Sequence, residues 1–378
     1  MAWLGTWANR IEITIDCDKV DDTLTHFAVA LHLSASCGLS SYDATAVFDD
    51  LGANKLKIAV TQADGTTQMY VDIADWDEGA EEAWLWVSRA AWEISSSADT
   101  TIYLYYDSGQ GDNTTYVSVS GDTAAQSVWR SEYKLVDHLN DGGSSSITVD
   151  STSNNSDGTK KGVAEPVQGV GKVGKCQVFD GADDYVNYGQ NFDYGNPASM
   201  SFWFKCNGDY INFQNPIARW HYVTSTSSAG EFVDFGITDY ELRYRTLRNG
   251  SLTVTSSIAL SSDAWHHVAV VHEASFYDMH IYYDGELNAT LDAVSAAYSN
   301  VLIRATVGAR YRYDLTSYDG FFNGSIDEAR MLQWTTPAAW AKAEYNCGMD
   351  TFVTFESESG PLRVPRYGFT IFQDPGIV

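Results

Sequence analysis

The chain has 378 residues, of which 50 are acidic and 23 basic, for a formal net charge of −27. Such an excess of carboxylates repels nucleic acid and anionic lipid heads, so neither a nucleic-acid partner nor membrane insertion is expected, and no run approaches the roughly 20 apolar residues of a spanning helix. Aromatic residues are abundant (12 Trp, 23 Tyr, 16 Phe) and prolines few (7), a composition suited to pleated, half-buried surfaces rather than to disorder or helical bundles.

The N-terminus, MAWLGTWANRIEITID, lacks the basic start and apolar run of a secretory signal, so none is expected. From there to about Thr115, the short apolar runs IEITI, HFAVALHL, KLKIAV, QMYVDI, AWLWV and TIYLYY alternate with DDT, GANK, ADG and SSSAD. Period-two alternation punctuated in this way predicts an antiparallel β-sandwich domain over residues 1–120. The polar stretch from about Ser118 to Gln126 reads as a linker or connecting strand, and residues 121–132 as the linker. From about Val128 the pattern resumes in YKLVDHL, CQVFDG, DYVNYG, SMSFWFKC, EFVDFGI, ELRYRTL, LTVTSSIAL, HHVAVVHE, MHIYYDG, ATVGAR and GSIDEARML. So many strands with no intervening helix predict a second sandwich, of the jelly-roll kind, over residues 133–350. TPAAWAKAEYN is the one helix expected, with Thr336 as cap and Pro337 at its first position. Residues 351–378, ending PLRVPRYGFTIFQDPGIV, read as a tail. The fold class is all-β.

Four of the eight histidines lie in WHHVAVVHEASFYDMHIYYDG, Trp265 to Gly285. On a strand His266, Val268, Val270 and His272 share one face, and Trp265, His267, Ala269 and Val271 the other. At ~3.3 Å per residue His266 and His272 stand roughly 20 Å apart and do not bind one ion. His280, across the turn, is expected near His272, and two imidazoles alone make a poor zinc site. The stretch therefore reads as a structural hairpin. The five cysteines (Cys17, Cys37, Cys176, Cys206, Cys347) are widely spaced without CxxC and read as buried free thiols, with a Cys176–Cys206 bridge left open.

These residues also carry a resemblance. WHHVAVVHEASFYDMHIYYDGEL is similar to the W-H-x-V-A … L-x-L-Y-x-D-G hairpin of laminin-G-like, concanavalin-A-like jelly rolls. FDGADDYVNYG, SMSFWFKCNG, VGARYRYDLTSYDGFFNGSIDEARML and the helix AWAKAEYNCG resemble further segments of that pattern in order, and YKLVDHLNDGGSSSITVDSTSNNSDGT its opening, so the resemblance spans about Tyr133 to Cys347. It implies a concanavalin-A-like, lectin-like sandwich. ANRIEITID, KLKIAV, AEEAWLWVSRAAWEIS and TIYLYYD resemble domain of unknown function 2341, often found beside laminin-G-like modules in surface and phage proteins.

Candidate chemistry is sparse. No P-loop, GxGxxG, GxSxG or HExxH is present. In FDGADDYV the neighbouring Asp183 and Asp184 are expected on opposite faces of a strand, within a structural turn. In EFVDFG, Glu231 and Asp234 also fall on opposite faces, so the carboxylate pair of a glycosidase is not built there. The resemblance implies a structural Ca2+ held by Asp150, Asn155 and Asp327, the loop DSTSNNSDG supplying hard oxygens, with an ordinary polar turn as the competing reading. Two aromatic-rich loops, NFQNPIARWHY and ARYRYDLTSYDGFF, point to a ligand face at Trp220, Tyr222, Tyr311, Tyr313, Asp314 and Tyr318. Rings there stack on sugars, although the same composition suits a protein interface. The expectation is a non-enzymatic virion surface protein, decorating a phage capsid or tail, that contacts other virion proteins or copies of itself and binds glycans. A cell-surface adhesin and a polysaccharide-degrading hydrolase are the alternatives.

Overall fold

The computed structural model describes residues 2–142, 144–189, 192–193, 198–208, 213–224, 227–235, 241–247, 251–259, 263–273, 278–292, 302–311 and 317–356. Alternation in the first run places Ile11, Ile13 and Ile15 in a core while Glu12 and Thr14 face outward. Strand Asn9–Ile15 pairs with Thr100–Tyr106, and the sheet continues through Ile58–Gln62, Gln68–Asp77, Glu82–Ser88 and Val29–Leu33. The strand Gln68–Asp77 is long enough to serve two neighbours. Its start pairs with Ile58–Gln62 and the rest with Glu82–Ser88, with a register shift between Ile73 and Asp75. The one sheet thereby folds over its own core as a sandwich. On the far side of Thr100–Tyr106, Tyr103 and Tyr105 lie under Trp3 and Trp7, with Arg10 held over the rings.

Two segments differ from expectation. Residues 121–132 hold a short helix, Thr123–Gln126, whose Ala124 and Ala125 are buried, and Val128 and Trp129 join the first core. Polar letters around them hid an apolar AA…VW set. In the expected tail, Phe352, Val353 and Phe355 are buried in that same core, and Thr354–Phe355 adds an edge strand opposite Ile13 and Thr14. Helix α1, Thr45–Leu51, was also not anticipated; the Asp43 carboxylate receives the Thr45 N–H, and Gly52 closes it at φ 51°. The one helix expected forms over Ala338–Gly348, with Pro337 rather than Thr336 at the cap.

From Tyr133 the chain builds two facing sheets. The first, of eight strands, runs Val167–Val170, Lys175–Asp180, Asn323–Leu332, Ala198–Cys206, His266–His272, Met279–Tyr283 and Glu286–Leu291, with Tyr133–Asp137 also on Asn323–Leu332. The second, of nine, runs Ile147–Thr148, Gly158–Lys161, Tyr185–Asn187, Leu302–Val307, Gln214–Thr224, Ser227–Phe235, Glu241–Leu247 and Ser251–Ala259, with Phe192–Asp193 beside Leu302–Val307. Phe202, Phe204, Val268, Val270 and Ile281 of the one meet Ile217, Val233, Phe235, Tyr244 and Val307 of the other. This is the expected jelly-roll sandwich. Helix Ala338–Gly348 covers the outer face of the eight-stranded sheet, where Ala341 meets Ala269, Val271 and Tyr282. Its Trp340, Ala343 and Cys347 enter the first core. It is a wedge common to both units.

The histidine hairpin has the predicted faces. Val268 and Val270 lie in the sandwich core, Ala269 and Val271 beneath the helix. Asp284 and Gly285, at φ 49° and 82°, turn the hairpin's second strand, Met279–Tyr283, into Glu286–Leu291, an Asp-Gly turn whose two positive φ angles match strand twist. His280 stands opposite Val271, not beside His272, and bonds Glu273 and Thr290. His266 bonds Asp284 and His272 bonds Glu231. Each of these rings has its own partner. All five cysteines are free thiols, Cys176 and Cys206 included.

Candidate ligand-binding face

Asp150 is buried, and its carboxylate accepts the Val136, Thr152 and Ser156 N–H groups and the Thr152 hydroxyl at 2.8–3.1 Å. Four donors occupy the four acceptor positions a carboxylate offers. Asn155 is exposed, with its Oδ1 accepting from Gln126. Asp327 is fully buried, and its Oδ2 accepts the Lys172 and Val173 N–H groups at 2.7 and 2.8 Å. The three residues implied for Ca2+ are thus each engaged by their own partners, and the loop Asp150–Gly158 is bonded largely within itself. Asp183 and Asp184 lie in the expected structural turn. They precede the strand Tyr185–Asn187, so alternation does not govern them, and with Asp180 they bring ligand atoms within 4.8 Å of one another. Their oxygens bond the N–H groups of Val163 and Asp180. Burial pushes the Asp184 carboxyl up to about 6.

Glu231 and Asp234 face opposite sides, as alternation requires. Glu231 lies between the sheets, 1% exposed, receiving Arg219 at 2.6 Å and paired with His272 at 2.8 Å. Burial alone would raise its carboxyl; Arg219 and His272 override that and hold it at about 2. With the folded value below the unfolded 4.5, the stabilisation is complete above about pH 4.5 and is lost as pH falls toward 2. A shift of this size corresponds to about 3 kcal/mol. Glu231→Gln should therefore melt lower at neutral pH and lose less stability than the parent between about pH 5 and 2.5 in scanning calorimetry. Parallel acid-melting curves would contradict it.

Asp234 lies on the outer face of the nine-stranded sheet, and a polar and aromatic surface is built around it. It is 0% exposed beneath Arg243 and Arg245, which reach it at 2.7 and 2.8 Å. Alternation in Glu241–Leu247 puts both arginines on one face, opposite Asp234 and Phe232 in register. Arg310 stacks on Phe213 and Phe232 at 4.7 and 4.8 Å, and its Nε and Nη2 grip Asp319, each at 3.1 Å. Arg310–Tyr311 pairs with Tyr318–Asp319 as a short hairpin, so the second expected loop is partly strand. Tyr318 stacks on Tyr185 with centroids 4.0 Å apart and meets Tyr311 edge-on at 5.1 Å. Arg304 lies over Tyr311 at 4.5 Å.

Of the expected ligand residues, the structure brings Tyr311 and Tyr318 together. Tyr311 is only 8% exposed, so it supports Tyr318 and Arg304 rather than offering a ring face. Trp220 and Tyr222 lie on strand Gln214–Thr224, not a loop, in register with Gly230 and Ser228; their side chains, like Tyr313 and Asp314, lie outside the described residues. Tyr185, Arg243, Arg245, Arg304, Arg310 and Asp319 were missed. The R-Y-R alternation of ELRYRTL was a legible sign of two guanidinium groups on one face.

Two antiparallel sheets around one core, with rings and guanidinium groups on an outer face, make a jelly-roll sandwich of the concanavalin-A-like kind. Residues 180–367 match the family model of the Concanavalin A-like lectin/glucanases superfamily, and this part of the chain is a domain of that superfamily. The curated proteins contain no match to the chain. Among solved structures it is similar to domain 4 of AbnA, a GH43 extracellular arabinanase from Geobacillus stearothermophilus, in complex with arabinotriose. That pair is 16% identical, covering 56% of this chain and 98% of that one, with a TM-score of 0.42. It is also similar to the native heptameric SAP-like pentraxin from Limulus polyphemus (12% identical, 48% and 92% covered, TM-score 0.38). A third is the Ruminococcus gnavus IT-sialidase CBM40 bound to alpha2,3 sialyllactose (14% identical, 41% and 84% covered, TM-score 0.35).

Proposed function

We propose that the protein is a non-catalytic surface component whose jelly roll binds glycans through the face around Tyr185 and Tyr318. The carrying observation is the half-buried Tyr185–Tyr318 stack beside Arg304, Arg310 and Asp319. Rings supply apolar area for a sugar face, while fixed guanidinium and carboxylate groups supply hydroxyl partners, the composition of a ligand site. Binding rather than hydrolysis follows from the carboxylates. Glycoside hydrolysis needs two acids flanking one bond, whereas Glu231 is locked between the sheets by Arg219 and His272 and Asp234 lies on the other face. The test is titration calorimetry of the full chain against a glycan panel. Tyr318→Ala should weaken any hit about tenfold or more, about 1.4 kcal/mol, with an unchanged melting curve. Binding that survives in both Tyr318→Ala and Tyr185→Ala would place the ligand elsewhere.

The proposed setting is the surface of a virus particle, among other virion proteins or copies of this chain. The resemblance of the first unit to domain of unknown function 2341 supports it, and a net charge of −27 keeps such a component off the genome. No helix among the described residues is long and apolar enough to cross a membrane. Peptide counting by mass spectrometry of purified particles is expected to find many copies per particle. Recovery in cell-surface fractions alone would instead make the protein a cellular adhesin.

A further inference from the structure

We infer that the ligand of this face is an acidic glycan, a saccharide bearing carboxylate or sulfate groups, held by the guanidinium groups of Arg243, Arg245, Arg304 and Arg310. The inference rests on the reading of the face as glycan-binding and goes on to its substrate class. It starts from a local reversal of charge. Acidic residues outnumber basic ones by about two to one in the chain, 50 to 23. On this face four arginines meet Asp234, Asp319 and Glu241, the last at the start of strand Glu241–Leu247. Among the described residues four arginines thus stand against three acids on this face, the reverse of the balance in the chain.

The arrangement leaves donors facing outward. Asp234 is one carboxylate shared by two arginines, and it lies beneath them with no exposure of its own, while Arg243 and Arg245 remain 21% and 27% exposed. Burial lowers the Arg245 guanidinium's hold on its proton, Asp234 opposes that, and Arg243 and Arg310 nearby lower it further, so the three guanidinium groups lie within one another's reach. Arg310, held in its fork to Asp319, is itself 20% exposed. The side chains are also pre-ordered: Arg310 by Phe213 and Phe232, Arg304 by Tyr311. Planar, fixed, positively charged forks match the oxygens of a carboxylate or sulfate two at a time. A neutral sugar's hydroxyls accept from them one at a time and without the charge that strengthens the bond. The Tyr185–Tyr318 stack adjoining Arg304 supplies the ring surface a pyranose needs and an acidic peptide does not.

The test uses the full chain and matched probes: tetragalacturonate beside its methyl ester, a sulfated galactan hexasaccharide beside its desulfated form, and oligoglutamate as a charge-only control. Calorimetry at about 50 mM salt should show one or both acidic saccharides binding at least tenfold more tightly than their neutral forms. Raising salt to about 500 mM should remove most of that preference, and which acidic probe binds tells carboxylate from sulfate. Arg304→Gln, and separately Arg243→Gln with Arg245→Gln and Asp234→Asn, should abolish the preference with melting curves kept near the parent; the triple change removes the buried acid with its partners, so it does not strand a charge. Neutral and acidic forms binding alike at this face would overturn the inference and leave the glycan reading standing. Oligoglutamate binding as tightly as the acidic saccharides would overturn it in favour of an acidic protein partner. No saccharide binding in any arm would overturn both.

Discussion

A chain cut after Asp350 should fail to fold, whereas one ending at Glu356 is the reference against which that failure is measured. The six residues between them complete the first sandwich. Phe352, Val353 and Phe355 are 1%, 1% and 2% exposed. Phe352 meets Phe27 at 5.9 Å and Phe355 stacks on Tyr42 at 6.0 Å. The backbone is tied in as well, by Leu39 N–H to Val353 O, the Phe355 N–H to the Ser40 hydroxyl, and Glu356 N–H to Glu12 O. Truncating one buried Phe costs about 3–5 kcal/mol, and a domain holds only about 5–15 kcal/mol in all. Phe352→Ala with Phe355→Ala in the intact chain should therefore consume most of that margin. Circular dichroism and urea titration check both. A cooperative transition for the shortened chain within about 1 kcal/mol of the reference would show that the strand Thr354–Phe355 is dispensable.

That result bears on why the fold was only partly legible in the sequence. Period-two runs such as IEITI and HHVAVVHE report their own faces, and those faces came out as read. Thr354–Phe355 reports nothing locally, because its partner is the strand at the other end of the chain. The same holds for Val128 and Trp129, whose polar neighbours suggested a connector although their burial is decided by the core they meet. Helix Thr45–Leu51 was legible from Asp43 and Gly52 once a cap is sought there. At the candidate site, Tyr311 and Tyr318 could be found because seven positions separate them in one aromatic stretch. Tyr185 and Arg243 come from distant strands, and only sheet order brings them to one face. For the residues implied for Ca2+ the limit is different: a ligand list carries residue types, whereas the donors bonded to Asp150 depend on how its own loop closes.

Replacing His138 by Ala should cost about 3–5 kcal/mol and loosen the two units together, because it breaks a charge network buried between them. His138 bonds Asp72 of the first unit at 3.1 Å and Glu328 of the jelly roll at 2.7 Å. Glu328 receives Arg330 at 2.7 Å, and Arg330 continues to Glu344 of the helix Ala338–Gly348 at 3.2 Å. Trp129 donates to Asp72, and Tyr133 and Trp340 to Glu344. All five charged residues are at most 4% exposed. Removing one member of such a set strands the others without water, which is why loss costs more than formation gains. Burial by itself would lower the imidazole's affinity for a proton, yet Glu328 and Asp72 outweigh it and raise the value from 6.5 to about 10. A group raised on folding contributes fully below its unfolded value and loses that contribution as pH climbs to the folded one. The gap in stability between the parent and His138→Ala should therefore be widest below about pH 6.5 and shrink toward pH 10. A double-mutant cycle on Asp72 and Glu328 measures whether the coupling passes through the imidazole. Additive effects there, or a gap that does not change with pH, would mean that the two units meet through their apolar core alone.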